Sequence, residues 1–140
     1  MISDYRNVLE YWRASSRKDF IVATDLAKLG HYAHALFFCH LALEKLLKAL
    51  YVARQHEHAP YVHDLVILAR KSDIGLSDLQ IDSLQTITTF NIQGRYADEK
   101  SEFYGKYNKK NVASKYLAVT KDILLWLEKR SKKETPLLSS

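Results

Sequence analysis

Apolar residues recur at intervals of three and four along most of the chain, which is the spacing of one face of an α-helix. The clearest stretch runs from 31 to 55. Its apolar face consists of Leu36, Cys39, Leu43, Leu46, Leu47 and Leu50. The sequence shows no strand-like alternation with hairpin turns, and it contains only four glycines and two prolines. The pattern therefore predicts an all-α protein.

Local signals mark the ends of the first predicted helix, which runs from about 4 to 29. Gly30 follows the last periodic residue, where a helix commonly ends in a left-handed glycine. Within the helix, Ser16 and Asp19 have the spacing of a capping box. This pair predicts a kink or a restart of the helix near Ser16.

The remaining predicted elements follow the second helix along the chain. In order, they are a helix at 62–71, a helix capped by Ser77 and Gln80, a long loop at 92–109 and a final helix at 111–130. Long loops in compact domains are often functional. We predict an up-and-down bundle of four to five helices over residues 1–130, with a frayed tail at 131–140.

Length and charge narrow the functional class. The 140 residues suit a single domain, and the net charge of +5 indicates an anionic partner such as RNA, a nucleotide or an acidic protein. The alternative is a soluble protein whose last helix is simply rich in lysine. One cysteine excludes an intrachain disulfide, and no apolar run is long enough for a membrane span or a signal peptide. These features predict a cytoplasmic protein.

Motifs for metals and cofactors are weak or missing. His56-Glu57-His58 lacks a third metal ligand at a definable spacing, so a solvated loop is the better interpretation. The sequence contains no glycine-rich phosphate loop and no nucleophile elbow. Cys39 lies on the apolar face and is predicted to belong to the core. We therefore expect neither a metal nor a cofactor.

Several short motifs follow one another along the chain. They are Trp12 with Asp19 in the first helix, Glu-Lys-Leu-Leu-Lys-Ala at 44–49, Pro60 with His63 and Leu65, Arg-Tyr-Ala-Asp at 95–98, and a Tyr-rich lead into a helix ending in Trp126-Leu127. In these motifs and in their order, the chain resembles the HEPN domain family of prokaryotes over about 4–127. The resemblance implies a helical bundle that often dimerises. It also implies a partner, since members are commonly encoded beside a small nucleotidyltransferase in toxin–antitoxin-like pairs.

Other HEPN proteins are metal-independent ribonucleases whose signature is Arg, four to six residues, then His. This chain departs from that signature. Arg95 is followed at the required positions by Lys100, Ser101 and Glu102, and no histidine occurs after His63. We therefore assign no catalytic residue and keep Arg95 and His63 as candidates.

The candidate ligand-binding residues fall into two groups. The first, in the predicted loop, is Arg95, Tyr96, Asp98, Tyr104 and Tyr107, because arginine binds phosphate and tyrosine stacks on bases. The second is Lys45 and Lys48, which lie beside a polar stripe formed with His40 and Glu44. The alternatives are an arginine and tyrosines that fix the loop to the bundle, and a stripe of ion pairs along one helix.

Three functional hypotheses remain open. The first is a module that binds nucleotide or RNA and acts with a separately encoded minimal nucleotidyltransferase. The second is a ribonuclease in which Arg95 stabilises developing charge on phosphorus and His63 serves as the base. The third is a structural homodimer.

Overall fold

The computed structural model describes residues 2–134, which form six α-helices and no strand. The helices are α1 (Tyr5–Lys28), α2 (Tyr32–Gln55), α3 (Leu65–Lys71), α4 (Asp78–Thr88), α5 (Ala97–Tyr107) and α6 (Lys110–Glu134). The predicted all-α bundle is confirmed, with one helix more than expected. Within these residues, none of the helices combines the length and the apolar character that a bilayer span requires.

Helix α2 occupies the centre of the bundle, and α1 and α6 pack mainly against it. Its sequence explains this position, because it is apolar around most of its circumference. Ala35, Ala42 and Ala49 recur every seventh residue and are fully buried. Small side chains let neighbouring backbones approach closely. The hydroxyl of Ser16 in α1 donates a hydrogen bond of 2.7 Å to the carbonyl of Ala42.

The predicted interruption of the first helix is wrong, because α1 runs through it without a break. Ser16 and Asp19 look like a capping box in sequence, but both side chains point across to α2. Ser16 binds the carbonyl of Ala42, and Asp19 accepts the ammonium of Lys45 at 2.7 Å. The spacing that suggested a cap instead places both polar groups on the face of α1 that meets α2.

The predicted loop at 92–109 is also wrong over most of its length, because Ala97–Tyr107 form α5. Asp98 and Glu99 lie in its first turn, where acidic side chains favour the helix dipole. Phe103 is its one buried residue and packs near Phe90. The helix ends at Asn108, whose side-chain oxygen accepts hydrogen bonds from the first two backbone amides of α2 at 3.1 and 3.3 Å.

The boundaries of the other helices are close to prediction. Asp64 caps α3, and the capping box of Ser77 and Gln80 begins α4 as predicted. Helix α6 continues past the predicted end at 130 as far as Glu134, and Ser131 is buried. The first part of the predicted tail is therefore helical. Residues 135–140 lie outside the described part of the chain.

Candidate functional site

A polar cluster lies between α2 and the turn that precedes α3. His40, Glu44 and Lys48 stand one turn apart along α2, and each is less than a tenth exposed. Burying charged groups is costly unless they are paired and hydrogen-bonded. Their partner in the turn is His63, and we call these four residues the His63 cluster.

Glu44 joins the members of the His63 cluster. One carboxylate oxygen accepts a hydrogen bond of 2.8 Å from Nδ1 of His63. The other oxygen accepts a hydrogen bond of 3.1 Å from the ammonium of Lys48. A carboxylate on Nδ1 fixes both the tautomer and the orientation of an imidazole. The side chain of His63 is 41% exposed, so its Nε2 is the ring nitrogen left for exchange with solvent.

His40 holds the same turn through its backbone. Its Nε2–H donates a hydrogen bond of 2.9 Å to the carbonyl oxygen of His63, which assigns the tautomer. Its Nδ1 is buried and has no hydrogen-bond partner in the described part of the chain. Burial lowers the pKa of His40 below its ordinary value, with opposing contributions from the His63 carbonyl and the Glu44 carboxylate. His40 is therefore neutral near pH 7.

The lowered pKa of His40 predicts a pH-dependent stability. In the unfolded chain this histidine gains a proton as the pH falls through about 6.5, whereas folded His40 stays neutral. Protons therefore favour unfolding, and the free energy of unfolding should decrease below about pH 6.5, by up to about 1.4 kcal/mol per pH unit.

The variant His40→Gln keeps a hydrogen-bond donor but cannot titrate, so urea unfolding at pH 5 to 7 should show a weaker pH dependence. His58→Gln, in an exposed loop, is the control; parallel profiles for His40→Gln and the unaltered chain would refute the assignment.

Two aromatic rings enclose the ammonium of Lys48. It lies 5.2 Å from the ring centre of Trp12 and 5.9 Å from that of Tyr61, within the range of cation–π attraction. Lys45 is held by Asp19 and by the hydroxyl of Ser15 at 2.8 Å. The structure thus places both lysines in internal contacts, which fits the ion-pair alternative for this stripe better than direct phosphate binding.

A separate cleft of about 470 Å³ lies between the end of α4 and α5; we call it the Arg95 cleft. The Arg95 guanidinium lies at its edge, where Nη2 donates a hydrogen bond of 2.8 Å to the carbonyl of Thr89. Lys106 adds a second positive charge, and Glu99 and Glu102 add two negative ones. The cleft therefore combines two cations with two hydrogen-bond acceptors.

The other candidates on this segment have different surroundings. Tyr107 lines the Arg95 cleft and packs edge-on against Phe90. Tyr104 stacks on His34 with ring centres 4.6 Å apart, so it helps to dock α5 on the bundle. Tyr96 is 78% exposed and forms the N-cap of α5, and Asp98 is exposed in its first turn. Arg95 and Tyr107 are thus brought together, whereas the other three are not part of the cleft lining.

Metal binding and thiol chemistry each require a particular arrangement of side chains. No group of three or more His, Cys, Asp or Glu side chains among them is arranged to hold a metal ion. Cys39 is buried, as its place on the apolar face predicted, and burial raises its pKa to about 12 despite a smaller, opposing effect of the Thr120 side chain. Its thiol is therefore protonated at neutral pH, as expected for a buried core cysteine.

The geometry defines a class: a small all-helical domain whose central helix holds a histidine-bearing turn and whose fifth helix borders an arginine cleft. The HEPN domain family matches residues 9–130, and the chain belongs to this family. A similar solved fold is the crystal structure of TT1696 from Thermus thermophilus, with a TM-score of 0.73 and 22% identity, covering 91% of this chain and 98% of that one. No curated protein matches the chain.

Proposed function

We propose that this HEPN protein binds nucleotides or RNA and acts as the partner of a separately encoded minimal nucleotidyltransferase. The observation that carries the proposal is the position of Arg95 at the edge of its cleft. The backbone carbonyl of Thr89 holds one arm of the guanidinium, so the side chain is oriented before any ligand arrives. Oriented arginines bind phosphate with two parallel hydrogen bonds.

The remainder of the Arg95 cleft favours a nucleotide over a free phosphate ion. Lys106 supplies a second cation for phosphate, and the ring of Tyr107 offers a surface for a base. Glu99 and Glu102 repel a bare anion but accept hydrogen bonds from amino groups. A ligand that carries both a phosphate and base amino groups satisfies all of these residues.

Binding measurements with one substitution test this proposal. Arg95→Ala should weaken binding of fluorescent ATP and of a short single-stranded RNA by about tenfold or more, because a charge-assisted hydrogen bond contributes roughly 1.5–3 kcal/mol. Arg70→Ala, an exposed arginine at the end of α3, is the matched control and should bind as the unaltered chain does. Equal affinities for both variants, or no binding by the unaltered chain, would reject the cleft as the site.

The partnership requires its own test. The nucleotidyltransferase encoded nearest to this chain should co-purify with it when the two are expressed together. The homodimer that the family resemblance implies is compatible with this partnership, and light scattering gives the stoichiometry of the free chain and of the complex. Absence of such a neighbouring gene, or separate elution of the two proteins, would remove the partnership but leave nucleotide binding standing.

One observation favours the ribonuclease as a second candidate. Glu44 supplies the orienting partner that a catalytic histidine needs, and the His63 side chain is 41% exposed to solvent. The helix that follows His63 also contacts the end of α4, which borders the Arg95 cleft. The backbone amide of Leu65 donates to the hydroxyl of Thr88 at 3.1 Å, next to the Thr89 carbonyl that holds Arg95.

Cleavage of RNA in the presence of a chelator tests this second candidate. His63→Ala and Arg95→Ala should each abolish the activity if His63 is the base and Arg95 stabilises the charge on phosphorus. Intact RNA after incubation with concentrated protein would reject the ribonuclease. That result leaves the binding proposal unaffected, because nucleotide binding is measured separately.

A further inference from the structure

A groove of about 400 Å³ lies between α1 and α6, and residues of these two helices alone line it, so it is separate from both candidate sites. It exists because both helices pack against α2 and make few contacts with each other. Phe20 and Ile21 form its side on α1, and Leu124 and Leu125 form its side on α6. Ile21 and Leu125 are 53% and 54% exposed, so the groove presents apolar surface to solvent.

The groove has the dimensions of a helix-binding site. Its lining residues on α6 run from Lys121 to Lys132, which is about 16 Å at 1.5 Å per residue. Leu124, Leu125 and Glu128 lie between them at helical spacing. A partner helix of about three turns covers this length, and amphipathic helices commonly bind in such grooves.

Positive charge borders the apolar strip. Arg17, Lys121 and Lys132 line the groove together with a single acidic residue, Glu128. Glu128 is already bound by Arg13 and Arg17, each at 3.4 Å. Lys121 and Lys132 form no ion pair with any residue in the part of the chain that the structure describes. The unmatched charge of the groove is therefore positive.

We propose that this groove binds an amphipathic helix of a partner protein, with an apolar stripe flanked by acidic residues. The apolar stripe covers Ile21 and Leu125, and the acidic flanks meet Lys121 and Lys132. A second copy of this chain fits poorly. Two antiparallel α6 helices related by a two-fold axis at the centre of the groove place Lys121 of one copy opposite Lys132 of the other. Like charges at both ends oppose that arrangement.

Two synthetic peptides test whether the groove prefers a helix with acidic flanks. Both are stapled three-turn helices with the same leucine stripe, one flanked by glutamates and the other by lysines. Fluorescence anisotropy should show binding of the glutamate peptide at least about tenfold tighter than that of the lysine peptide. The double variant Lys121→Glu with Lys132→Glu should reverse this preference. Equal binding of both peptides, or an unchanged preference in the double variant, would overturn the proposal.

Matched variants assign the result to the groove. Leu125→Asp should abolish binding of the glutamate peptide, whereas Leu79→Asp, an exposed leucine on α4, should not alter it. Lys109→Glu with Lys110→Glu makes the same change of net charge outside the groove and should keep the original preference.

If the free chain is a dimer that Leu125→Asp dissociates, the occupant is a second copy and the proposal fails. The proposal also fails if the peptides bind only to the double variant Leu137→Asp with Leu138→Asp. That result would mean that the chain's own C-terminal tail competes with the peptides for the groove.

Discussion

Replacing Glu44 by leucine should lower the free energy of unfolding by roughly 3–5 kcal/mol, the usual effect of removing one partner from a buried ion pair. The carboxylate of Glu44 is 6% exposed and the side chain of Lys48 is 7% exposed. Without Glu44 the ammonium of Lys48 loses its ion-pair partner and stays buried beside the rings of Trp12 and Tyr61. Nδ1 of His63 loses its acceptor as well. Urea unfolding followed by circular dichroism measures the difference.

A double variant separates the cost of an unpaired charge from the loss of packing. Glu44→Leu combined with Lys48→Met replaces the pair by two apolar side chains of similar volume. It should regain most of the stability that Glu44→Leu loses, since buried ion pairs often contribute little over well-packed apolar groups. If the double variant is less stable than the single one, the ion pair is not the source of the effect.

Replacing Phe90 by alanine should have an effect of similar size, about 3–5 kcal/mol, because it removes a fully buried ring from a packed core. The ring centre of Phe90 lies 6.1 Å from that of Phe103, 5.4 Å from that of Tyr107 and 5.0 Å from that of Tyr116. These contacts hold α5 and α6 against the end of α4. Thermal unfolding measures the loss of stability.

The same substitution should also weaken nucleotide binding, because Phe103 and Tyr107 line the Arg95 cleft. The control is Phe20→Ala, which removes a half-buried ring from α1 and should cost less stability without altering the cleft. Unchanged nucleotide affinity in folded Phe90→Ala would show that the cleft does not depend on this aromatic cluster.

The elements that the sequence predicts well are those whose signal is local. Helix α2 has a continuous apolar pattern, and the capping box of Ser77 and Gln80 uses atoms three residues apart. The sequence did not predict helix α5, because this helix is mostly polar and contains Gly105. It is held in place by contacts with other segments, such as those of Phe103 and Tyr107 with Phe90, and no periodicity within α5 predicts these contacts.

For the candidate sites too, the sequence predicted individual residues but not the contacts between distant segments. The sequence supplied Arg95 and His63 as separate candidates, through residue types and the resemblance to HEPN domains, and it placed Glu44 in the polar stripe of the second helix. It did not pair Glu44 with His63, because 19 positions and a turn separate them. The polar stripe on α2 was the available signal, since a buried stripe of this kind requires a partner from another segment. The groove between α1 and α6 had no such signal, because it depends on how far two helices diverge.

The hydrogen bonds from Tyr32 and Ala33 to the side chain of Asn108 have a consequence for how the molecule responds to ligands. Asn108 directly follows α5, and α5 forms one wall of the Arg95 cleft. A ligand that displaces this wall should change the protection of these two amides from solvent, although they lie far from the cleft in sequence. We therefore expect deuterium exchange at Tyr32 and Ala33 to report on ligand binding in the Arg95 cleft.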